Sequence, residues 1–263
     1  GTKEVIRELK RDQFETYRTK HYVAPKTVVV VAGAFDEKKV LAQIKKTFGE
    51  LKKLPTPKKP KTTEKQSQPE LSVKFKESDQ SHLVLGVRAF DVFDKRRHAL
   101  QVLADVLGGG MSSRLFHKVR EELGAAYYVR AEADLTLDHG FMAVGAGVDH
   151  LKIELVIKAV LGEMNRLRTE LVPASELQKS KDHMIGNFIL GLEGSDELAS
   201  YYGGQEIITK KTAMPEEVIK KVKAVKAEEI RAIAKSLFVD KSLNLAVIGP
   251  YKDSESFKKI LKF

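Results

Sequence analysis

The sequence predicts an α+β fold in which helices pack on one face of a mainly antiparallel sheet. The segments "AAYYVRAEADLTL" and "HGFMAVGAGVD" have the composition of strands, and the turn residues Asp138-His139-Gly140 join them as in an antiparallel hairpin. Two long helical segments, 151–169 and 173–192, then follow each other with no strand between them. Paired strands and paired helices are typical of α+β proteins, whereas a parallel sheet would show strands and helices in alternation.

The elements before this hairpin follow from local patterning. Leu71–Phe75 alternates apolar and polar residues as a half-buried strand does, and Ser81–Ala89 has the composition of a second strand. Asp94–Leu107 carries apolar residues at spacings of three and four, which predicts a helix with one buried stripe. The glycine run Gly108–Gly110 ends that helix.

A short helix is expected after the glycine run. Ser112 can cap it by accepting a hydrogen bond from one of its first free amides, and Gly124 supplies a residue that tolerates positive φ at its end. Arg120 lies at the flank of its apolar face, which consists of Leu115, Phe116, Val119 and Leu123.

The two ends of the chain repeat each other. A shift of 216 positions aligns about thirty residues without a gap, and each copy predicts a helix, a β-branched strand ending at glycine and a further helix. Chance similarity between two such units is the alternative, but the length of the match favours duplication. The aligned apolar pairs include Phe14 and Ile230, Tyr17 and Ile233, Tyr22 and Phe238, Val29 and Leu245, Val31 and Val247, Phe35 and Tyr251, and Leu41 and Phe257.

The repeat predicts the domain organisation. Residues 1–51 correspond to the tail of a first domain, residues 52–70 form a lysine- and proline-rich linker, and residues 71–263 form a complete second domain. On this interpretation we expect about 150 residues to precede Gly1 in the parent protein, by the usual size of a domain.

Composition excludes some classes of site. The chain has no cysteine, which excludes disulfides and thiolate metal sites, and it has no apolar run of the roughly 20 residues needed to span a bilayer. The net charge is +10, and six lysines lie between Lys52 and Lys65. These lysines could form a nucleic-acid stripe, but no aromatic residues interleave them, so we interpret the stretch as a solvated linker and expect no nucleic-acid partner.

Motif searches leave few catalytic candidates. The glycine run lacks the lysine of a phosphate-binding P-loop, and no G-x-S-x-G nucleophile motif occurs. No two histidines are three or four residues apart, so no helical zinc motif is present, although a site assembled from distant histidines stays open. We interpret His98, in the nearest candidate string, as a helix-surface residue.

Arg120 and Tyr127 remain as a candidate pair. Because the chain turns back at Gly124, a guanidinium at the end of a helix and a phenol at the start of a strand can converge on one point. Two such donors suit a carbonyl oxygen that gains negative charge. The alternative is that Arg120 pairs with a nearby carboxylate while Tyr127 packs in the core.

The run "GGGMSSRLFHKVREELGAAYYV" closely resembles the signature of the second domain in pitrilysin/insulinase-type zinc metallopeptidases, which include bacterial and mitochondrial processing peptidases. "HYVAPKTVVVVAGAFD" resembles the end of their first domain, and the similarity covers essentially the whole chain. The resemblance implies a clamshell of two related α+β domains joined by a linker. It also implies a zinc site on an inverted H-x-x-E-H motif in the first domain, with the glutamate activating a zinc-bound water.

By the same resemblance, Arg120 and Tyr127 grip the substrate backbone near the scissile bond, with Tyr128 as the neighbouring alternative to Tyr127. We assign Gly108, Gly109 and Gly110 to substrate binding beside them. The implied substrate is a peptide or unfolded polypeptide, and the implied compartment is the bacterial cytoplasm or periplasm, which the sequence alone leaves open.

The chain departs from the family in one respect, because it contains no H-x-x-E-H motif. No metal ligand is therefore assigned in this chain, and zinc is expected in a missing first half or in a partner subunit of a dimer. Two explanations stay open. The chain is the C-terminal part of an active peptidase, which would be inactive alone, or it comes from a non-catalytic subunit or a structural interaction protein with the same fold.

Overall fold

The computed structural model describes residues 1–55 and 58–263. Thr56 and Pro57, which belong to the predicted linker 52–70, lie outside the described residues. The chain divides into two compact units. Unit 1 consists of Gly1–Lys61 and Gly191–Thr212, and unit 2 consists of Thr62–Leu190 and Ala213–Phe263.

Unit 2 is built on a five-stranded sheet with the strand order β1-β5-β2-β4-β3. Its strands are β1 (Glu70–Phe75), β2 (Ser81–Ala89), β3 (Ala126–Leu135), β4 (Gly140–Val148) and β5 (Leu243–Gly249). Only the β1–β5 pair is parallel, and the other three pairs are antiparallel. The predicted α+β class with a mainly antiparallel sheet is confirmed, and β2 has the predicted bounds.

Helices cover one face of this sheet. In β2 the alternate residues Leu83, Leu85 and Val87 are buried, whereas Val84 between them is exposed. The largest fully buried side chains of the core lie on β2, on β4 and on the helices of unit 2, and at Leu115 and Phe238 just outside helix ends. The helices of unit 2 are α4 (Arg97–Gly108), α5 (Ile153–Thr169), α6 (Ala174–Leu190), α8 (Pro215–Ala224), α9 (Ala227–Leu237) and α10 (Glu255–Ile260).

The start of α4 corrects the prediction of a helix from Asp94. The Asp94 carboxylate accepts a hydrogen bond from the Arg96 amide at 2.8 Å, and its carbonyl accepts one from the Arg97 amide at 3.2 Å. An aspartate that bonds the backbone two residues ahead favours a turn over a helix. The helix therefore begins only at Arg97.

Unit 1 contains four α-helices among its described residues. They are α1 (Lys3–Glu8), α2 (Arg11–His21), α3 (Glu37–Phe48) and α7 (Ser195–Thr209). A methyl group placed on Gly203 of α7 would lie 3.0 Å from the Val30 side chain, so α7 approaches the valine segment 28–31 closely. No helix in the described part of the chain is long and apolar enough to cross a membrane.

The internal repeat extends to backbone conformation. The shift of 216 positions carries α2 onto α9 with both ends matched, Arg11 onto Ala227 and His21 onto Leu237. A backbone amide at the start of each helix, that of Lys10 or Lys226, donates to a side chain three residues on. The residues that follow these helices, Tyr22 and Phe238, have φ/ψ of −92°/75° and −82°/74°.

The two copies differ in pairing and burial. The described structure has no strand at residues 27–33, although the sequence predicts one there, whereas the second copy forms β5. A strand is defined by its hydrogen bonds to neighbouring strands. In the described structure residues 27–33 pair with no strand, whereas β5 is bonded to β1 on one side and to β2 on the other. Phe14 is 60% exposed while its counterpart Ile230 is 0% exposed, and Tyr22 is 67% exposed while Phe238 is 0% exposed.

The environment of His98 differs from the predicted helix surface. It lies in the first turn of α4, but its two ring nitrogens are buried and, within the described residues, neither has a hydrogen-bond partner. Burial, together with the nearby charges of Arg97 and Lys221, lowers the pKa of His98 to about 4. The ring is therefore neutral at pH 7.

This pKa makes the stability of unit 2 depend on pH. The unfolded histidine has a pKa near 6.5, so the unfolded state binds more protons than the folded state between about pH 6.5 and pH 4. The neutral ring therefore contributes fully to the free energy of unfolding above pH 6.5, and this contribution is lost as the pH falls from 6.5 to 4. Between pH 7 and pH 5, wild type should lose about 1–2 kcal/mol more free energy of unfolding than His98→Leu. Urea unfolding at both pH values measures this difference, and parallel losses in the two proteins would contradict it.

Candidate functional site

The segment after the glycine run forms a π-helix, Phe116–Glu122, in place of the predicted α-helix. Its wider turn is visible in the bond from the Leu123 amide to the Lys118 carbonyl, 3.2 Å over five residues. The prediction that Ser112 caps this helix is wrong. The serine that bonds the backbone before the helix is Ser113, whose hydroxyl donates to the Gly110 carbonyl at 2.6 Å. Short π-helices occur often at functional sites.

The π-helix positions Arg120 in its last turn. The Arg120 guanidinium donates to the Tyr127 carbonyl at 3.0 Å and lies 5.2 Å from the centre of the Phe116 ring. Gly124, with φ of +51°, reverses the chain between the two partners, as its sequence position predicts. One bond and one ring contact thus orient a side chain that remains exposed.

Tyr127 lies at an irregularity in β3. Ala126 pairs with Val148 and Tyr128 pairs with Gly147, so Tyr127 is an extra residue in the ladder. Such a bulge re-aims side chains and is frequent beside active sites. Tyr127 is 59% exposed.

Tyr128 has a different environment from its neighbour. Its hydroxyl lies 3.2 Å from the His82 Nδ1, and its ring lies over Gly147, where an added methyl group would come within 2.5 Å of the ring. Tyr128 is thus held against the sheet by protein contacts, while Tyr127 is the residue displaced by the bulge.

The packing alternative for the pair does not describe this structure. Tyr127 is not in the core, and across residues 1–55 and 58–263 Arg120 forms no ion pair with a carboxylate. Neighbouring carboxylates are engaged elsewhere, since Glu121 contacts His117 and Glu122 accepts from Lys118 at 2.6 Å. Arg120 therefore keeps guanidinium N–H groups that can donate to a ligand.

The glycine run has a packing role at its first position. Gly108 is buried, and a methyl group there would lie 2.5 Å from the backbone nitrogen of Ala131 in β3. Gly109 is exposed and Gly110 is partly exposed, with the His183 ring 3.1 Å from where a Gly110 methyl group would lie. Gly109 has φ of −78°, so its backbone is not in the left-handed region.

The described residues offer no cluster of three or more histidine, aspartate or glutamate side chains that could hold a metal ion. The residues of this part of the chain therefore do not fit a resident zinc ion.

Comparison with known proteins identifies related chains. The family model described as the peptidase M16 inactive domain matches residues 8–184. An uncharacterized zinc protease of Mycobacterium leprae is 29% identical over 265 residues, which cover 100% of this chain and 59% of the relative. The chain thus spans about three fifths of the length of the curated relatives it matches.

Solved structures share the fold. A protease from Helicobacter pylori superposes with a TM-score of 0.84 at 21% identity, covering 94% of this chain and 61% of that chain. A chain of complex III from Candida albicans superposes with a TM-score of 0.81 at 17% identity, covering 99% of this chain and 64% of that chain.

The packing at Gly108 can be tested with two alanine substitutions. Gly108→Ala forces a methyl group against the β3 backbone and should destabilise the protein by about 2 kcal/mol. Gly186→Ala is the matched control, since it lies inside α6 with no atom within 4 Å of its added methyl group, and it should stabilise by about 0.5–1 kcal/mol. Urea denaturation measures both changes. A Gly108→Ala protein as stable as wild type would contradict the close packing of α4 against β3 at this residue.

Proposed function

The chain belongs to the peptidase M16 family, where it matches the inactive domain, and on that basis we propose that it is the substrate-gripping C-terminal part of a zinc-dependent metalloendopeptidase. In this proposal the chain binds the backbone of a peptide or unfolded polypeptide near the scissile bond. The observation that carries the proposal is the Arg120–Tyr127 arrangement. Arg120 has no carboxylate partner in the described structure, and Tyr127 is exposed at a bulge that Arg120 contacts.

The chemistry of the two donors suits peptide hydrolysis. The Arg120 guanidinium and the Tyr127 hydroxyl can both donate hydrogen bonds to an oxygen atom. Attack on a peptide carbonyl moves negative charge onto its oxygen, and donors fixed before the reaction stabilise that charge without having to reorganise. Arg120 is fixed by its bond to the Tyr127 carbonyl and by the Phe116 ring.

The glycine run supports the same proposal at two positions. Gly109 is exposed and has no side chain, so an extended peptide could approach its backbone, and the His183 ring bounds the loop at Gly110. Gly108 is buried against β3. We propose that it supports the site by allowing the end of α4 to lie close to the sheet, just before Gly109 and Gly110.

The zinc ion and the water-activating glutamate belong, in this proposal, to the zinc-bearing half of the parent protein or to a partner subunit. In this proposal the chain alone is inactive in the zinc mechanism. The partner would supply the attacking water, and this chain would supply the oxyanion donors and hold the peptide in place.

The exposed side chains of residues 1–51 support one part of the proposed domain organisation of 1–51, 52–70 and 71–263. Phe14, Tyr17 and Tyr22 are exposed, while the corresponding residues of the second copy form part of a core. Unit 1 also contains α7, which lies within 71–263, so the two compact units do not follow the proposed bounds. Burying such side chains is the main stabilising term in a folded domain. We infer that residues 1–51 complete a first domain together with sequence that lies outside this chain.

The alternative is a non-catalytic subunit or a structural protein with the same fold. The likeness to a chain of complex III concerns the fold alone. A stable stoichiometric complex without peptidase activity would favour that alternative.

The donor pair can be tested by combining the chain with the zinc-bearing half of its parent protein and assaying an unfolded peptide. Loss of an oxyanion donor costs on the order of 100-fold in rate, so Arg120→Ala and Tyr127→Phe should each lower kcat by about that factor. Tyr128→Phe is the matched control and should change kcat by less than about threefold, because its hydroxyl is engaged with His82.

Thermal unfolding of each variant shows whether the fold is retained. The proposal fails if both substitutions leave kcat unchanged. A large loss with Tyr128→Phe instead of Tyr127→Phe would move the assignment to the neighbouring tyrosine.

The domain inference can be tested with equivalent positions of the repeat. Ile230→Ala removes a fully buried side chain and should cost about 2–5 kcal/mol in the chain alone, whereas Phe14→Ala should change its stability by less than about 0.5 kcal/mol. In the presence of the zinc-bearing half, Phe14→Ala should weaken association by at least about tenfold. Urea unfolding and titration calorimetry measure the two effects, and unchanged association would contradict the inference.

A further inference from the structure

We propose that one polar face of α6, formed by Glu176, Lys179 and His183, is a positioning device that fixes the glycine loop 109–113 and the π-helix, and thereby the aim of Arg120. The three residues are three and four positions apart, so they lie on one side of the helix over consecutive turns. The inference rests on the proposed function only in its last step, from Arg120 to catalysis.

The middle of the loop is held by Lys179. Its ammonium group donates to the Ser112 carbonyl at 2.8 Å, across 67 positions of sequence. A charged donor forms a stronger hydrogen bond than a neutral one. This contact fixes a carbonyl in a turn that is also closed by the bonds of the Ser113 hydroxyl and amide to the Gly110 carbonyl.

The start of the loop is held by His183. Its Nδ1 lies 2.8 Å from the Asp105 carboxylate in the last turn of α4, and its ring lies against Gly110. Asn187, one turn further along α6, lies 2.9 Å from the other ring nitrogen, so the ring is bonded on both sides. The ring therefore forms a wall beside the point where the glycine run leaves α4.

The end of the loop is held by Glu176. Its two carboxylate oxygens accept from the Arg114 guanidinium at 2.8 and 2.9 Å, a planar two-bond pairing. The Arg114 side chain is 10% exposed, and a second carboxylate, that of Glu163 in α5, lies 3.8 Å from it. Arg114 lies two residues before Phe116, the first residue of the π-helix, so this anchor is six residues before Arg120.

These contacts are separate from the packing of α6 in the core. The residues that α6 buries or partly buries include Leu177, Lys181, Met184 and Ile185, which lie on another side of the helix. Lys179 and His183 are exposed apart from their contacts with the loop. Changing Lys179 should therefore loosen the loop without unfolding the protein.

The holding role can be measured on the chain alone by amide hydrogen exchange. Lys179→Ala removes the bond to Ser112, and the amides of residues 108–115 should exchange about threefold to tenfold faster, as expected for loss of one charged hydrogen bond. Lys179→Arg should restore slow exchange because it keeps a charged donor. Gln178→Ala is the matched control on the same helix, since Gln178 bonds only Asp182 among the described residues.

The link to Arg120 is measured in the complex with the zinc-bearing half. Lys179→Ala should lower kcat about tenfold while KM stays within about twofold, because only a transition-state contact is displaced. Lys179→Arg should recover most of the rate. In an Arg120→Ala background, Lys179→Ala should cause no further loss, since residues that act through one another are not additive.

Three results would overturn the proposal. These are unchanged loop exchange in Lys179→Ala, an equal loss of kcat in the wild-type and Arg120→Ala backgrounds, and a loss that Gln178→Ala reproduces. If Arg120→Ala itself leaves kcat unchanged, the proposed function fails, and the exchange experiment alone then supports or overturns the holding of the loop by α6.

Discussion

The close approach of α4 to β3 at Gly108 is the constraint on which the candidate site depends. A side chain there would meet the backbone of Ala131, which cannot move without disturbing the sheet. The helix can lie this close only because the residue is glycine. The chain then leaves α4 at a defined height above β3, and the loop, the π-helix and the bulge at Tyr127 follow within the next twenty residues.

The sequence predicts more of the fold than of the candidate site. Periodicity and turn residues predict β2 and the β3–β4 pair, because these are set by alternation and by the turn at Asp138-His139-Gly140. The π-helix escapes prediction, because over seven residues the spacing of Leu115, Phe116 and Val119 fits an α-helix equally well. The bulge escapes it too, since two adjacent tyrosines give no sign of which one leaves the ladder.

The repeat shows how far local sequence specifies local structure. The two copies share helix ends, a bond at the helix start and the backbone angles that follow the helix, although few of their residues are identical. Pairing and burial differ between them, because these depend on neighbours from distant parts of the chain. A helix with its first-turn contact is therefore encoded within about fifteen residues, while a strand is encoded only together with its partners.

The valine segment 28–31 has a practical consequence for work with this protein in solution. Four β-branched residues in a row carry no charge, three of them are more than one-third exposed, and no ladder in the described structure includes them. Such a run is a template onto which another chain can add by backbone hydrogen bonds. We expect concentrated samples to aggregate through this segment, and we expect a lysine in place of Val31 to act as a gatekeeper that keeps the preparation monodisperse.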